Sequence, residues 1–225
     1  MMRSDPGVIR AYVDLKSPYA YLAIEPTRRL SRCCGVRIDW LPYTLDIPSY
    51  LGSARVDETG AVIEEDRSPH QWRRVRYAYM DVRRYANLRG LTIRGTVKIW
   101  NTRLFSTALL WARDQARSDA LLDIVFPRFW RRDFDPEDPS AVVASLKEAG
   151  CTADGYLAWA ATTGGDIHDA VRREAEEAGV FGVPWYAWNN EVFWGREALP
   201  LLSQRITGNL PDWAPDLGLA PDDGS

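Results

Sequence analysis

A short strand that hands over to a helix at a Ser-Pro pair, with a second strand one helix later, limits this chain to a small set of architectures. Residues 8–15, Val-Ile-Arg-Ala-Tyr-Val-Asp-Leu, are β-prone and partly alternate, and the run stops at Lys16-Ser17-Pro18. Ser17 suits a helix N-cap, and Pro18 suits the first helical position, where a missing N–H costs nothing. Apolar residues then recur at helical spacing over 19–30, and Gly35 supplies a stop. Residues 36–43, Val-Arg-Ile-Asp-Trp-Leu-Pro-Tyr, alternate again. Because a whole helix separates the two strands, they are expected to run parallel in a right-handed β-α-β unit.

Residues 44–67 mix prolines, glycines and charges with the apolar anchors Ile47 and Leu51, which reads as an irregular loop placed to cover a site. Over 69–90, Trp72, Val75, Tyr79, Val82 and Ala86 mark one face of an amphipathic helix whose other face is basic, and solvation accounts for those arginines. Further helices are expected at 101–116, 118–132, 137–149, 153–163 and 166–179, punctuated by Pro139 and Gly150. Asn189-Asn190, between the aromatic-rich runs 180–188 and 191–195, marks a β-hairpin. A last helix spans 196–207, and 208–225, rich in Pro, Gly and Asp, reads as a loose tail. The order β-α-β, then helices, then α-β-β-α is that of an α/β, thioredoxin-like fold with an inserted all-helical subdomain. The thioredoxin-like domain takes 1–45 and 165–207, and the loop plus helical insertion takes 46–164.

Composition narrows function by exclusion. With 28 Lys plus Arg against 31 Asp plus Glu, the net charge of -3 offers no general attraction to a polyanion, so nucleic acid is not expected as a partner. No signal-peptide-length apolar run opens the sequence and no long apolar stretch follows, so no membrane association and a cytoplasmic location are expected. Cys33, Cys34 and Cys151 form no Cys-x-x-Cys and are read as buried free thiols. His70 and His168 have no metal-ligand spacing, so no metal site is assigned. Ten tryptophans suit core packing and also flat organic ligands.

Two places carry chemistry. Ser17 lies where unpaired backbone N–H groups and the positive end of a helix favour an anion; a bound thiol there has its pKa lowered, and the hydroxyl can donate to sulfur. Read alone, Ser17 is equally a plain N-cap. Val183-Pro184 follows Gly182 at the head of a strand, a position that suits a cis bond and leaves the backbone of Val183 free to pair with a peptide-like ligand. An edge-strand proline with no further role is the alternative.

The run Asp14-Leu15-Lys16-Ser17-Pro18-Tyr19-Ala20-Tyr21-Leu22-Ala23, together with Gly179-Val180-Phe181-Gly182-Val183-Pro184 and Phe193-Trp194-Gly195, resembles the bacterial 2-hydroxychromene-2-carboxylate isomerases and kappa-class glutathione transferases, within the DsbA-like group of thioredoxin folds. The resemblance implies glutathione as cofactor, a small aromatic or electrophilic substrate, a role in aromatic compound catabolism, and a homodimer. It makes Ser17 the catalytic residue that contacts sulfur. Ser17, Pro18, Val183, Pro184, Trp194, Gly195, Arg196 and Glu197 then hold glutathione, and Ser68, Pro69, Trp100 and Asn101 face substrate. Tyr77, Asp81, Arg84 and Ala86 reproduce a family helix, and Asn101 with Arg103 an Asn-x-Arg that follows it. Arg74, Tyr77, Asp81 and Arg84 share one side of that helix, as a salt-bridge ladder or as substrate contacts.

Departures from the family pattern fall at Arg74 for Lys, Ser68 for Asn, Trp100 for Tyr, Trp185 for a small residue, Glu197 for Asp and Ala198 for Arg. Trp100 in particular lacks a hydroxyl able to polarise a substrate oxygen. The implied function is a glutathione-dependent isomerase acting on an aromatic-derived electrophile. A kappa-like glutathione transferase and a non-catalytic ligand-binding member of the fold are the alternatives. Ser17 and Ala20 replace both redox sulfurs of a Cys-x-x-Cys, which disfavours a disulfide oxidoreductase.

Overall fold

The computed structural model describes residues 5–57 and 59–213. Strand β1 (Val8–Val13) leads through helix α1 (Pro18–Cys34) to β2 (Arg37–Pro42), which pairs with β1 in parallel from Val8↔Arg37 to Val13↔Pro42. After the helical insertion come β5 (Trp185–Trp188) and β6 (Glu191–Trp194), antiparallel to β1 and to each other, giving a sheet of order β2-β1-β5-β6. Asn189 and Asn190 both take positive φ, 45° and 68°, the backbone that a two-residue hairpin turn requires. A short 3₁₀ turn (Arg196–Ala198) and α9 (Leu199–Thr207) close the unit, with α9 packed on α1. The expected loose tail falls largely on 214–225, outside the described residues.

Helix α1 runs through Pro26, which can give no N–H to the carbonyl of Leu22. The Arg89 guanidinium, at the end of α3 (Pro69–Leu88), donates to that carbonyl at 2.5 Å. The helix is thereby relieved of a buried orphan acceptor, and the insertion is tied to the sheet half. Replacing Arg89 with Ala is expected to cost about 1–2 kcal/mol, read as a lowered denaturant midpoint at unchanged slope. A midpoint that does not move would mean that another donor or water serves Leu22 equally well.

The segment expected to be an irregular loop is more regular than its composition implied. It holds a one-turn helix, α2 (Ile47–Leu51), and a ribbon of β3 (Ala54–Val56) with β4 (Val62–Glu65). The Asp57 carboxylate builds the ribbon's turn by accepting the N–H groups of Thr59 and Ala61, each at 2.9 Å. The insertion is therefore helical apart from this ribbon.

The other insertion helices are α4 (Arg103–Asp114), α5 (Ser118–Arg131), α6 (Pro139–Glu148) and α7 (Tyr156–Ala160), followed by α8 (Thr163–Glu177). Helix α8 begins three residues before the expected 166, through Gly164 and Gly165. A Cβ at Gly164 would come within 2.4 Å of the Trp159 ring, so only glycine fits. Helix α4 packs on β2 and on α5, α6, α7 and α8, and one continuous core joins Tyr12 and Tyr186 of the sheet to Phe105, Phe126 and Trp130 of the helices. Of the three thiols, only Cys151 is buried; Cys33 is exposed and Cys34 half-buried. Among the described residues no helix is long and apolar enough to cross a membrane.

Candidate active site

The end of β1 turns into α1 through a buried charged loop. Asp14, 1% exposed, accepts from the Leu45 N–H at 2.7 Å, from the Thr102 hydroxyl at 2.8 Å and from the Lys16 N–H at 3.2 Å. The Lys16 ammonium lies 3.6 Å from the same carboxylate and donates to the Leu45 carbonyl at 2.7 Å. This network fixes the turn that presents Ser17. Ser17 takes an extended backbone, φ −92° and ψ 111°, and its Oγ accepts the Ala20 N–H at 3.1 Å, as an N-cap should. The same hydroxyl donates to the carbonyl of Val183 at 3.1 Å.

The Val183-Pro184 bond is cis. Val183 was expected to offer both backbone groups freely, but its carbonyl already receives the Ser17 hydroxyl, while its N–H has no acceptor among the described residues. The turn after β6 closes on the same place. Gly195, at φ 87° and ψ 156°, adopts a conformation open in practice only to glycine, and its N–H donates to the Pro184 carbonyl at 2.9 Å. Trp194 packs edge-on against Phe181, ring centres 4.8 Å apart. Beside it the Arg196 guanidinium lies 4.0 Å above the Tyr85 ring and 2.7 Å from Glu197.

These elements enclose a cavity of about 640 Å³. Its base is Lys16 to Tyr19 with Gly182, Val183 and Trp194. One wall is Leu45 with the α2 residues Ile47, Tyr50 and Leu51; the other is Arg74, Val75, Ala78 and Tyr79 of α3; and Thr96, Lys98, Ile99 and Trp100 roof it. Lys16, Arg67, Arg74 and Lys98 bring cationic groups to the lining, and among the described residues no carboxylate does. Lys98 is paired with Glu137 at 2.6 Å and lies 4.3 Å over Trp100, and Arg67 stacks on Trp72. Arg74 makes no ion pair or hydrogen bond with any described residue. A flat anion is the ligand such a lining suits. A larger groove of about 870 Å³ lies along Arg37–Trp40 and the β5–β6 hairpin; Arg113 there is paired with Asp39 at 2.9 Å, and none of the residues singled out for chemistry lines it.

Of the residues singled out by sequence, Ser17, Pro18, Val183, Trp194 and Trp100 meet at the cavity, with Pro184 and Gly195 directly behind. Arg196 and Glu197 form the turn beside it. Ser68, Pro69 and Asn101 lie outside the lining. Ser68 caps α3 in a box with Gln71, and the Asn101 side chain accepts the Arg103 N–H at 3.0 Å. Arg103 itself grips Asp169 of α8, holding that carboxyl well below the usual carboxylate range. No ladder joins Arg74, Tyr77, Asp81 and Arg84; instead Asp81 accepts the Tyr19 hydroxyl at 3.3 Å. Sequence reasoning missed Lys16, Tyr50, Arg67 and Lys98. Only Lys16, where the first β-prone run stops beside Ser17, left a visible signal.

Residues 8–207 match the model of the DSBA-like thioredoxin domain. Two curated proteins named 2-hydroxychromene-2-carboxylate isomerase are similar along nearly their whole length. That of Sphingobium xenophagum is 26% identical over 87% of this chain and 95% of its own, and that of Pseudomonas sp. strain C18 is 23% identical over 89% and 91%. Among solved structures, a 2-hydroxychromene-2-carboxylate isomerase superposes with a TM-score of 0.68 at 21% identity, covering 88% of this chain and 94% of that one. The cytosolic disulfide reductase DsbM of Pseudomonas aeruginosa, solved with GSH, superposes at 0.56 with 16% identity over 83% and 88%. The strand order, the cis-proline facing the start of the first helix, and the helices inserted after β2 agree with that assignment: the chain belongs to the DSBA-like thioredoxin domain family.

Proposed function

We propose that this protein is a glutathione-dependent isomerase whose substrate is an aromatic carboxylate of the 2-hydroxychromene-2-carboxylate type. The observation that carries the reading is the meeting, in one aromatic and cationic cavity, of the Ser17 hydroxyl at the N-terminus of α1 with the unpaired N–H of Val183. The donor set fits glutathione. The Val183 backbone offers the edge that a peptide requires, and the Gly195–Glu197 turn lies beside the cavity for the γ-glutamyl group.

Bound glutathione supplies a soft thiolate nucleophile that can add to an electrophilic carbon and leave again. Ser17 and the field of α1 favour that thiolate over the thiol, Ser17 by donating to sulfur after releasing the Val183 carbonyl. The exchange is close to neutral, because the released carbonyl becomes an acceptor for a ligand N–H. Among the described residues no histidine or carboxylate is hydrogen-bonded to Ser17, so its role is to stabilise sulfur and not to attack. The aromatic walls hold a flat ring and exclude water, and the cations orient the carboxylate.

Calorimetry is expected to show glutathione binding at millimolar concentration or below. With 2-hydroxychromene-2-carboxylate, a catalytic quantity of glutathione should sustain many turnovers without being consumed. Accumulation of a stable conjugate would identify a transferase instead, and absence of binding at millimolar glutathione would leave a non-catalytic ligand-binding protein.

A further inference from the structure

Three tyrosines line the cavity, and their hydroxyls are not equivalent. That of Tyr19 donates to Asp81 at 3.3 Å, and that of Tyr79 lies 3.4 Å from the Thr96 hydroxyl and accepts the Thr96 N–H. The Tyr50 hydroxyl has no hydrogen-bond partner among the described residues. Its side chain lines the cavity. After burial, the influence that most raises its pKa is the charge of Asp14, behind the Ser17 turn, ahead of Asp46 at the start of Tyr50's own helix; Arg74, across the cavity, acts in the opposite sense. Its pKa is pushed up to about 12, so the donor stays protonated at ordinary pH.

Helix α2 carries this side chain. Ile47, Tyr50 and Leu51 present one face to the cavity. The helix ends at Gly52, whose φ of 63° and close approach to the backbone of Arg67 admit no larger residue. The Trp100 position, where a tyrosine would have supplied a hydroxyl, offers only an indole.

We infer that the Tyr50 hydroxyl donates a hydrogen bond to the keto oxygen of the substrate and so helps to fix which aryl acids the cavity accepts. The inference rests on the isomerase reading for its substrate class. 2-Hydroxychromene-2-carboxylate is a cyclic hemiketal, and its ring-opened form is an aryl acid with a ketone beside the carboxylate. A cation for the carboxylate and a neutral donor for the adjacent oxygen are what such a group requires; Arg74 and Tyr50 both line the cavity, and neither side chain has a hydrogen-bond partner among the described residues. No bond is made or broken by Tyr50, and its proton stays on the phenol oxygen.

The test needs neither turnover nor glutathione. Trp100 and Trp194 line the cavity, so tryptophan fluorescence can report binding of 2-oxo-4-phenylbutanoate and of 4-phenylbutanoate, which differ only in the ketone. The wild type is expected to prefer the keto acid by about 10-fold, the worth of one hydrogen bond to a good donor, and Tyr50→Phe is expected to abolish that preference while leaving 4-phenylbutanoate within two-fold. Tyr50 is 39% exposed and its hydroxyl bonds to no protein group, so the variant should fold. A preference that survives in Tyr50→Phe, an equal loss for both acids, or no binding of either acid by the wild type would each overturn the inference. If the keto preference behaves as expected but glutathione does not bind, the thiol reading alone falls.

Discussion

Ser17→Ala is expected to lower kcat/KM for the isomerisation by about 10²-fold, the usual consequence of removing one preorganised donor from developing or resident negative charge. Its Oγ has two partners, accepting from the Ala20 N–H and donating to the Val183 carbonyl, each at 3.1 Å. Alanine removes both bonds, so a second, smaller effect must be separated from the first. Loss of the cap should cost about 1 kcal/mol of stability, seen as a lowered denaturant midpoint. The discriminating measurement is the ultraviolet titration of enzyme-bound glutathione, in which the thiol pKa should rise towards its free value in Ser17→Ala. A structural cap would not move that titration. Ser17→Thr, which keeps the hydroxyl, should restore most of the activity and the lowered thiol pKa. An alanine variant that isomerises within three-fold of wild type, with the bound thiol unshifted, would sink the role assigned to Ser17.

How far the sequence discloses this site depends on the range over which each signal acts. The Ser17 cap, the Gly35 stop and the Asn189-Asn190 turn are local, each set by side-chain chemistry within four residues of the backbone it shapes, and each lies where the sequence places it. The cis-proline was legible for the same reason. Hydrophobic periodicity failed on 44–67 because α2 is one turn long and β4 is exposed throughout, so neither has a buried stripe to detect. The turn chemistry of Asp57 was present in the sequence but carries little weight without flanking strands of normal length. Of the cationic wall, only Arg74 was singled out by sequence. Arg67, Arg74 and Lys98 lie on three separate segments and converge only after α3 has packed beside α1 and α2. Ser68 and Asn101 show the converse: residues matched by position became caps, because a Ser-Pro or Asn-x-Arg beside a helix start is satisfied locally before any ligand is considered.

Asp14 is where the active-site turn and the inserted helices are joined, and removing it is expected to have the largest effect on stability of any single polar substitution in the molecule. Its carboxylate receives donors from three places, Lys16 in the turn, Leu45 after β2 and Thr102 at the start of α4, and the side chain is wholly buried. Asp14→Ala leaves those donors unpaired and the Lys16 ammonium, 7% exposed, without a counter-charge. The expected loss is about 3–5 kcal/mol, the range for a buried pair broken on one side. The cost belongs mainly to the stranded cation and not to the missing attraction. Asp14→Ala combined with Lys16→Met should therefore be more stable than Asp14→Ala alone, by at least about 1 kcal/mol. Chemical denaturation of the four proteins in the cycle measures this directly. Equal destabilisation of the single and double variants would show that the hydrogen bonds to Leu45 and Thr102 dominate, and a single variant that loses under about 1 kcal/mol would show that water replaces the carboxylate. Because the Asp14 carboxylate also accepts the N–H of Lys16, next to Ser17, at 3.2 Å, any variant here that folds should bind glutathione less tightly than its stability alone accounts for. The same turn then serves two ends: its backbone aims the Ser17 hydroxyl, and its buried charge ties the helical insertion to it.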